Sequence, residues 1–187
     1  MKKQKSAIFS IFSLCYSFDF QSKHKKERSF TRNRTLTFPV VTGMVLRMVK
    51  TSIQIACNWL GDHMETQPVS KQAFSQARQK IHSTAFQLMH ADGIRVNYTL
   101  GPKDGLWKGY RLIGCDGSTV RLPESKELAK AFGRWKTSED KSPSAPIARI
   151  SEYTDMTTKL VLSGRIAPCD TSEETLAIEQ LPKSSQR

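Results

Sequence analysis

The sequence has few cysteines, and their placement does not suit a metal-binding or disulfide-rich scaffold. The four cysteines lie far apart along 187 residues, with no Cys-x-x-Cys pair and no His-x₃₋₅-His spacing. Structural zinc sites are built from such closely spaced pairs. The spacing therefore argues against a zinc finger and against a small disulfide-stapled fold, and it predicts reduced thiols in a cytosolic protein.

Acidic residues are scarce relative to basic ones. Asp and Glu number 17 against 29 Lys and Arg, which gives a formal net charge of +12 and a pI of about 9.7. This excess favours a polyanionic partner, either nucleic acid or an anionic membrane surface, because clustered cations release counterions from phosphates. The charged fraction of 25% and the apolar fraction of 38% are typical of a folded chain with one core, or one core and part of another.

The chain also lacks an apolar run that is long enough to cross a membrane. The longest helical candidate, residues 39–60, carries Arg47, Lys50, Gln54 and Asn58. The N-terminal stretch AIFSIFSLCYSF follows three lysines, as in a signal peptide, but no small-x-small cleavage site comes after it. Its serines recur at helical spacing, which predicts an amphipathic helix docked on the protein, with secretion as the alternative.

A basic segment follows this predicted helix. Residues 21–34, QSKHKKERSFTRNR, contain six Lys or Arg and one Glu, a local formal charge of +5. Composition alone favours a solvated, flexible connector. The interleaved Phe30 and the length of the run favour contact with phosphates instead. The candidate phosphate ligands in this segment are Arg32 and Arg34.

Two helices are predicted after the basic segment. FPVVTGMVLRMVKTSIQIACNWLG has core residues at helical spacing, with Thr37 as the N-cap and Gly61 at the C-terminal end. The second helix reads SKQAFSQARQKIH with Ser70 as its N-cap, and helical character continues to about Ala91. Such a pair is compatible with a helix-turn-helix that binds DNA. The candidate DNA contacts of the second helix are Lys71, Arg78 and Lys80.

The hydrophobic period changes to that of β-strands after GPKDGLWKG. Asp116-Gly117 is a pair typical of tight turns and predicts a hairpin, and TDMTT predicts a second turn. A helix follows, opened by a capping box of Thr171 and Glu174. The predicted strands are residues 110–115, 118–123, 146–154 and 159–167.

These elements predict an α/β or α+β chain in which a helical domain precedes the first half of an α/β layer. A small antiparallel sheet leads into a helix, and the parallel strand that should come next is not found before Arg187. The second domain is therefore expected to be truncated. The predicted parts are a leader with the basic segment (1–35), a helical DNA-binding domain (36–91), a linker (92–108) and the partial domain (109–187).

Two stretches of the second half resemble the central segment of the insertion element 4 class of DDE transposases. They are YRLIGCDGSTVRLPESKELAKAFG and, after it, PIARISEYTDMTTKLVLSGRIAPCDTSEETLAIEQLP. RSFTRNRTLTFP and VSKQAFSQARQKI are similar to the same family's N-terminal region. The resemblance runs from about Ser29 to Leu181. It implies an RNase H-like fold, Mg²⁺ as cofactor, and double-stranded DNA at the terminal repeats of an element as partner. It also implies a homodimer on that DNA and a cytoplasmic location at the bacterial nucleoid, away from membranes.

The resemblance places the first acidic residue of the catalytic triad, a metal ligand, at Asp116. Spacing alone predicts that Asp116 is the corner residue of a hairpin. A residue at the end of a strand can both begin a turn and bind a metal ion, so the two roles are compatible. The sequence has no DRGY-like segment and no later helix to supply the family's second and third carboxylates. Because two Mg²⁺ ions need several carboxylates, we expect an inactive N-terminal portion of a transposase, or alternatively a non-catalytic DNA-binding module.

Three further charged residues belong to the predicted strands and turns. Arg121 and Arg149 lie on strands, where each is either an exposed strand residue or a contact to the DNA backbone. Asp155 lies in the predicted second turn and is expected to have a structural role there.

Overall fold

The computed structural model describes residues 2–32, 35–47, 52–65, 69–100, 106–134 and 145–181. Within these ranges it has eight α-helices and one three-stranded antiparallel sheet, so the α+β class is confirmed. The chain divides into two compact units, residues 1–101 and 102–187. The first unit is helical, and the second combines the sheet with two helices.

The elements follow one another in chain order. The first unit has the helices α1 (Lys2–Tyr16), α2 (Phe18–His24), α3 (Phe38–Arg47), α4 (Ile53–Met64), α5 (Lys71–Arg78) and α6 (Ser83–Leu100). The second unit has β1 (Ile113–Arg121), α7 (Lys126–Phe132), β2 (Ile147–Asp155), β3 (Val161–Pro168) and α8 (Glu173–Gln180).

The core of the first unit joins its helices through large apolar side chains. Phe38 of α3, Phe74 of α5 and Met89 of α6 are almost fully buried. The rings of Phe20 and Phe30 both pack edge-on against Phe38, with centroid distances of 6.2 and 5.7 Å. Burying a side chain of this size stabilises the fold by about 1.5–3 kcal/mol. The part of the basic segment between Phe20 and Phe30 is therefore anchored to the core at both ends.

Helix α1 docks on α6, as the amphipathic pattern predicts. Ser10 Oγ donates to Asp92 Oδ2 at 2.5 Å, and the buried Cys15 Sγ lies 3.9 Å from Met89 Sδ. The hydrogen bond from Ser10, followed by the interaction with Arg95, lowers the pKa of the Asp92 carboxyl group, although burial opposes this. No helix in the described part of the chain is long and apolar enough to cross a membrane.

Several helix boundaries differ from the sequence prediction. The single helix predicted over 39–60 corresponds to two helices, α3 and α4. Residues 48–51 between them lie outside the described ranges. Gly61 is buried inside α4, because the left-handed C-cap falls at Glu65 (φ 50°), whose N–H bonds the Gly61 carbonyl. Helix α6 continues past the predicted end at Ala91, through the first part of the predicted linker. A Cβ at Gly93 would lie 3.0 Å from Ile11 Cδ1, so this glycine gives α1 room to pack on the longer helix.

The sheet has the order β1-β2-β3. Strand β1 runs without a break through Asp116 and Gly117 and pairs with β2 from Ile113↔Asp155 to Arg121↔Ile147. The hairpin predicted at Asp116-Gly117 is therefore wrong. Pairing with a strand that is distant in the sequence keeps this dipeptide extended, because tertiary pairing overrides a local turn preference.

The turn between β2 and β3 is where the TDMTT stretch predicts it. Asp155 is fully buried there, and its Oδ1 accepts the N–H groups of Thr157 and Thr158 at 2.8 and 3.0 Å. Its Oδ2 lies 2.6 Å from Nη1 of Arg111. The prediction that Asp155 serves the turn is confirmed.

Helix α8 is fixed to one face of the sheet. Tyr153 Oη donates to the Ala177 carbonyl at 2.6 Å. Ser172 caps the helix by accepting the N–H of Thr175 at 3.1 Å, so the predicted cap at Thr171 is displaced by one residue. The contacts of α8 leave the even-numbered residues of β1, among them Asp116, on the other face of the sheet.

Candidate nucleic-acid interface

Positive charge is concentrated in the first unit. Residues 1–101 contain 15 Lys or Arg and 5 Asp or Glu, a formal charge of +10. Residues 102–187 contain 14 Lys or Arg and 12 Asp or Glu, a formal charge of +2. Because the field of a unit sums over all its charges, a polyanion is attracted mainly to the helical unit.

The basic segment is held to the end of α5 by a short backbone bridge. The N–H of Lys26 donates to the carbonyl oxygen of Lys80 at 2.8 Å, and the N–H of His82 donates to the carbonyl oxygen of His24 at 2.9 Å. A flexible, solvated stretch makes no such pairing. The flexible-connector interpretation is therefore wrong for residues 21–32, the part of the segment that the structure describes.

His24 is the buried titratable group at this bridge. Its Nδ1 lies 2.8 Å from Thr84 Oγ1. Burial lowers the pKa of His24, and the positive charges of His82 and Lys23 lower it further, against a small opposing effect of Asp19. The neutral imidazole is thus the form that the folded junction accommodates.

A groove of about 580 Å³ opens between the basic segment and α5. Three cationic side chains, Arg28, Arg32 and Lys80, line it, and none of its lining residues is acidic. Gln76 of α5 also lines the groove, and the floor includes Phe30, which packs on the core. A concave surface lined by three cationic residues and no carboxylate suits a phosphate backbone, because nothing in its lining offsets the attraction.

The turn that carries Arg28 has a strained backbone. Arg28 and Phe30 both have φ of 55°, in the left-handed region that costs an ordinary residue about 1 kcal/mol. Ser29 between them is buried, and its N–H donates to the Lys26 carbonyl at 3.2 Å. The strained turn, held in place by the packing of Phe30, directs Arg28 to the groove. The sequence alone does not distinguish Arg28 from the other cations of the segment, because its place beside the groove depends on this turn.

The residues predicted to contact DNA in the helical unit fall into three groups. Arg32 and Lys80 lie together in the groove. Lys71 and Arg78 are exposed and share a side of α5 that does not line the groove. Arg34 lies outside the described residues. The structure thus brings two predicted contacts together and places two more on the opposite flank of α5.

Asp116 lies in the middle of β1 and is exposed, so the predicted position at a strand end is wrong. Its Oδ1 accepts the N–H of Gly117 at 2.9 Å. Its Cα partner on β2 is Glu152, also exposed, and directly opposed residues project from the same face of a sheet. Glu152 could not be recognised from the sequence, because its position opposite Asp116 depends on the register of the two strands.

These two carboxylates do not by themselves fit the needs of Mg²⁺. Mg²⁺ prefers near-octahedral oxygen ligation, and a two-metal centre needs further carboxylates. Among the described residues no group of three or more His, Cys, Asp or Glu side chains is arranged to hold a metal ion. The metal site that the sequence resemblance implies at Asp116 stays a prediction.

The two arginines predicted on strands differ in environment. Arg149 Nη1 lies 2.6 Å from Glu173 Oε1, and the Arg149 side chain is only 17% exposed. Arg149 therefore joins β2 to α8, and a DNA contact would have to compete with this ion pair. Arg121 is exposed at the end of β1. DNA contact by either residue stays a prediction.

Comparison with known proteins shows a distant similarity between this chain and a transposase. The chain is 24% identical over 113 residues to a protein named "Putative transposase InsZ" from Escherichia coli (strain K12). The match covers 60% of this chain and 38% of the length of that relative. No family model matches the chain, and no solved structure matches it. The similarity supports a relationship to transposases and does not distinguish classes among them.

Proposed function

We propose that this chain is a DNA-binding protein related to transposases, and that its helical unit binds double-stranded DNA. The observation that carries the proposal is the groove between the basic segment and α5, where Arg28, Arg32 and Lys80 converge and no acidic residue lines the surface. The charge of residues 1–101 favours a polyanion. The similarity to a transposase favours DNA over an anionic membrane surface.

The groove binds the phosphate backbone through two kinds of cation. The guanidinium groups of Arg28 and Arg32 donate paired hydrogen bonds to phosphate oxygens, and Lys80 adds a point charge from the α5 side. The backbone bond between Lys26 and Lys80 holds the two sides of the groove together before DNA arrives, which reduces the entropy lost on binding. Further proposed contacts to the DNA backbone are Arg34, Lys71, Arg78, Arg121 and Arg149.

A finer function is proposed from the sequence resemblance alone, namely metal-dependent strand cleavage and transfer by an insertion-element transposase. Mg²⁺ would supply activation of the attacking hydroxyl and stabilisation of the leaving oxygen. The resemblance assigns the first carboxylate of such a site to Asp116. Binding at the terminal repeats of an element and as a homodimer belongs to the same proposal.

A non-catalytic DNA-binding module is the second candidate. It is favoured by the location of the groove, which lies wholly within the helical unit, whereas Asp116 belongs to the other unit. DNA binding therefore needs no carboxylate from the sheet. The two candidates share the groove and differ in what Asp116 does.

The proposal is tested by measuring the affinity of the full chain for duplex DNA over a range of salt concentrations. We expect log K to fall linearly with log salt, by about 0.9 per phosphate contact. The double variant Arg28→Ala/Arg32→Ala should lower this slope by roughly two contacts. The matched control is Lys126→Ala/Lys130→Ala on α7, which removes the same charge from an exposed helix of the other unit and should leave the slope unchanged.

An unchanged slope in the groove variant, or an equal drop in both variants, would place the binding surface outside the groove. Anionic phospholipid vesicles provide the competing polyanion. Binding to such vesicles without binding to DNA at the same salt concentration would contradict the choice of DNA.

A further inference from the structure

The exposed side of α5 carries a row of three glutamines. Gln72, Gln76 and Gln79 are spaced by four and three residues, which places them on one helical face. All three are exposed, and Gln79 keeps helical dihedral angles (φ −67°, ψ −10°) directly after the last residue of α5. The buried residues of α5 are Phe74 and Ala77, on the opposite side of the helix. The three amides therefore face away from the core.

Cations border this glutamine face on both sides. Lys71 and Arg78 lie along one edge of α5, and Lys80, two residues after the helix ends, lies on the side of the groove. Gln76 lines the groove together with Arg28 and Arg32. An ordinary solvated helix face mixes charges of both signs, whereas α5 has no acidic residue and keeps its cations at the edges. Neutral amides between two rows of cations are the arrangement expected where phosphates flank a row of bases.

The size of α5 matches the major groove of DNA. An α-helix with its side chains is about 10–12 Å in diameter, and the major groove is about 12 Å wide and admits such a helix. A glutamine amide donates and accepts at once, which lets it pair with N6 and N7 of adenine.

On the basis of the proposed function, we propose that α5 enters the major groove and that its glutamine face reads base edges there, with Gln76 selecting adenine. Gln76 is central to the face and is the one of the three glutamines that lines the groove. The phosphates bound by Arg28, Arg32 and Lys80 set the depth and register of α5, and the amides then discriminate between sequences. The DNA that this chain binds therefore has a preferred sequence that contains A·T pairs at fixed positions.

The test is selection of duplexes from a pool with a randomised central region, using the full chain and the variant Gln76→Ala. We expect the native chain to enrich adenine at one or more fixed positions, with about 5- to 150-fold discrimination against other bases. Gln76→Ala should lose the enrichment of adenine at one position. The control is Gln54→Ala, at an exposed glutamine of α4 that bonds Asn58, and it should select the same sequences as the native chain.

Each outcome separates this inference from the proposed function. Binding to duplex DNA without any base preference, or an unchanged preference in Gln76→Ala, would overturn base reading by α5 and leave the phosphate groove standing. Failure of the native chain to bind any duplex at low salt would overturn both. A circular dichroism spectrum equal to that of the native chain shows that the Gln76 variant is folded, so that a lost preference reports on the amide.

Discussion

The backbone N–H of Lys26 donates to the carbonyl oxygen of Lys80 at 2.8 Å, and this bond fixes the two sides of the cationic groove to each other. The two residues are distant in the sequence and carry the same charge, so their side chains repel each other. The groove persists because apolar groups such as Phe30, Phe38 and Ile81 anchor both sides in or against one core. Binding of a polyanion relieves the repulsion that the fold maintains.

Removing this bond should weaken the groove. Lys26→Pro eliminates the N–H donor, and Lys25 before it is already extended (φ −123°, ψ 153°), as a residue before proline must be. We expect the free energy of unfolding to fall by about 1 kcal/mol and the affinity for DNA to fall with it. Lys26→Ala is the control, since it removes the same charge and keeps the N–H. Equal losses in both variants would assign the effect to the charge.

His24 should make the same junction sensitive to pH. Because the folded state lowers its pKa below the usual 6.5, the unfolded chain binds a proton more readily than the folded chain. The free energy of unfolding should therefore decrease as the pH falls below about 6.5 and level off once the folded form is also protonated. His24→Gln should show a smaller decrease in thermal midpoint between neutral and mildly acidic buffer.

His63→Gln, at an exposed histidine of α4, is the control for this experiment and should behave as the native chain does. If His24→Gln keeps the full pH dependence, another group is responsible for it.

The bond from Ser10 to Asp92 should stabilise the docked position of α1. We expect Ser10→Ala to lower the free energy of unfolding by about 1 kcal/mol at neutral pH, measured by urea denaturation. Because the Asp92 pKa is lowered in the folded state, this contribution is present above the pKa of the unfolded chain and is lost as the pH falls through the folded value. The difference between the variant and the native chain should therefore shrink in strong acid.

Ser13→Ala on the same helix is the matched control, since its hydroxyl bonds only the Phe9 carbonyl of α1 in the described structure. Because alanine favours a helix more than serine does, a loss in Ser13→Ala as large as that in Ser10→Ala would show that the link to α6 is not the cause.

Asp116 and Glu152 give a test of the proposed metal ligand. Two like charges at directly opposed strand positions repel, so Asp116→Asn should raise the free energy of unfolding by a few tenths of a kcal/mol without divalent ions. If Asp116 helps to hold Mg²⁺, adding the ion should raise the thermal midpoint of the native chain and not that of the variant. Asp170→Asn, at an exposed residue after β3, is the control. An equal response of all three chains to Mg²⁺ would remove Asp116 from metal binding.

Local chemistry in the sequence predicts the features that depend on neighbouring residues. Ser70 caps α5 as predicted, with its Oγ accepting the N–H of Ala73 at 3.2 Å, because a cap involves residues only three positions apart. Asp155 serves its turn for the same reason. Asp116-Gly117 has an equally strong local turn signal, yet β2 pairs along the whole of β1 and keeps it straight. Nothing in the dipeptide itself reveals that pairing.

The candidate interface depends more on tertiary structure than on sequence. The charge of the basic segment and the cations of α5 predict phosphate contact, and Arg32 and Lys80 do meet in one groove. Arg28 is placed by a turn in a left-handed conformation, and Glu152 by a register between distant strands. The positions of Arg28 and Glu152 can therefore be recognised only in the folded structure, because long-range contacts set the turn and the register.

Hydrogen exchange of the full chain, measured with and without duplex DNA, tests the binding of DNA by the helical unit most directly. We predict slower exchange on DNA binding in peptides that cover residues 25–32 and 71–82, where the backbone bridge and the cations of the groove lie. Peptides from α8 should exchange at the same rate in both samples. Protection confined to residues 106–181, or no protection in a sample shown to bind DNA, would contradict the groove as the DNA-binding surface.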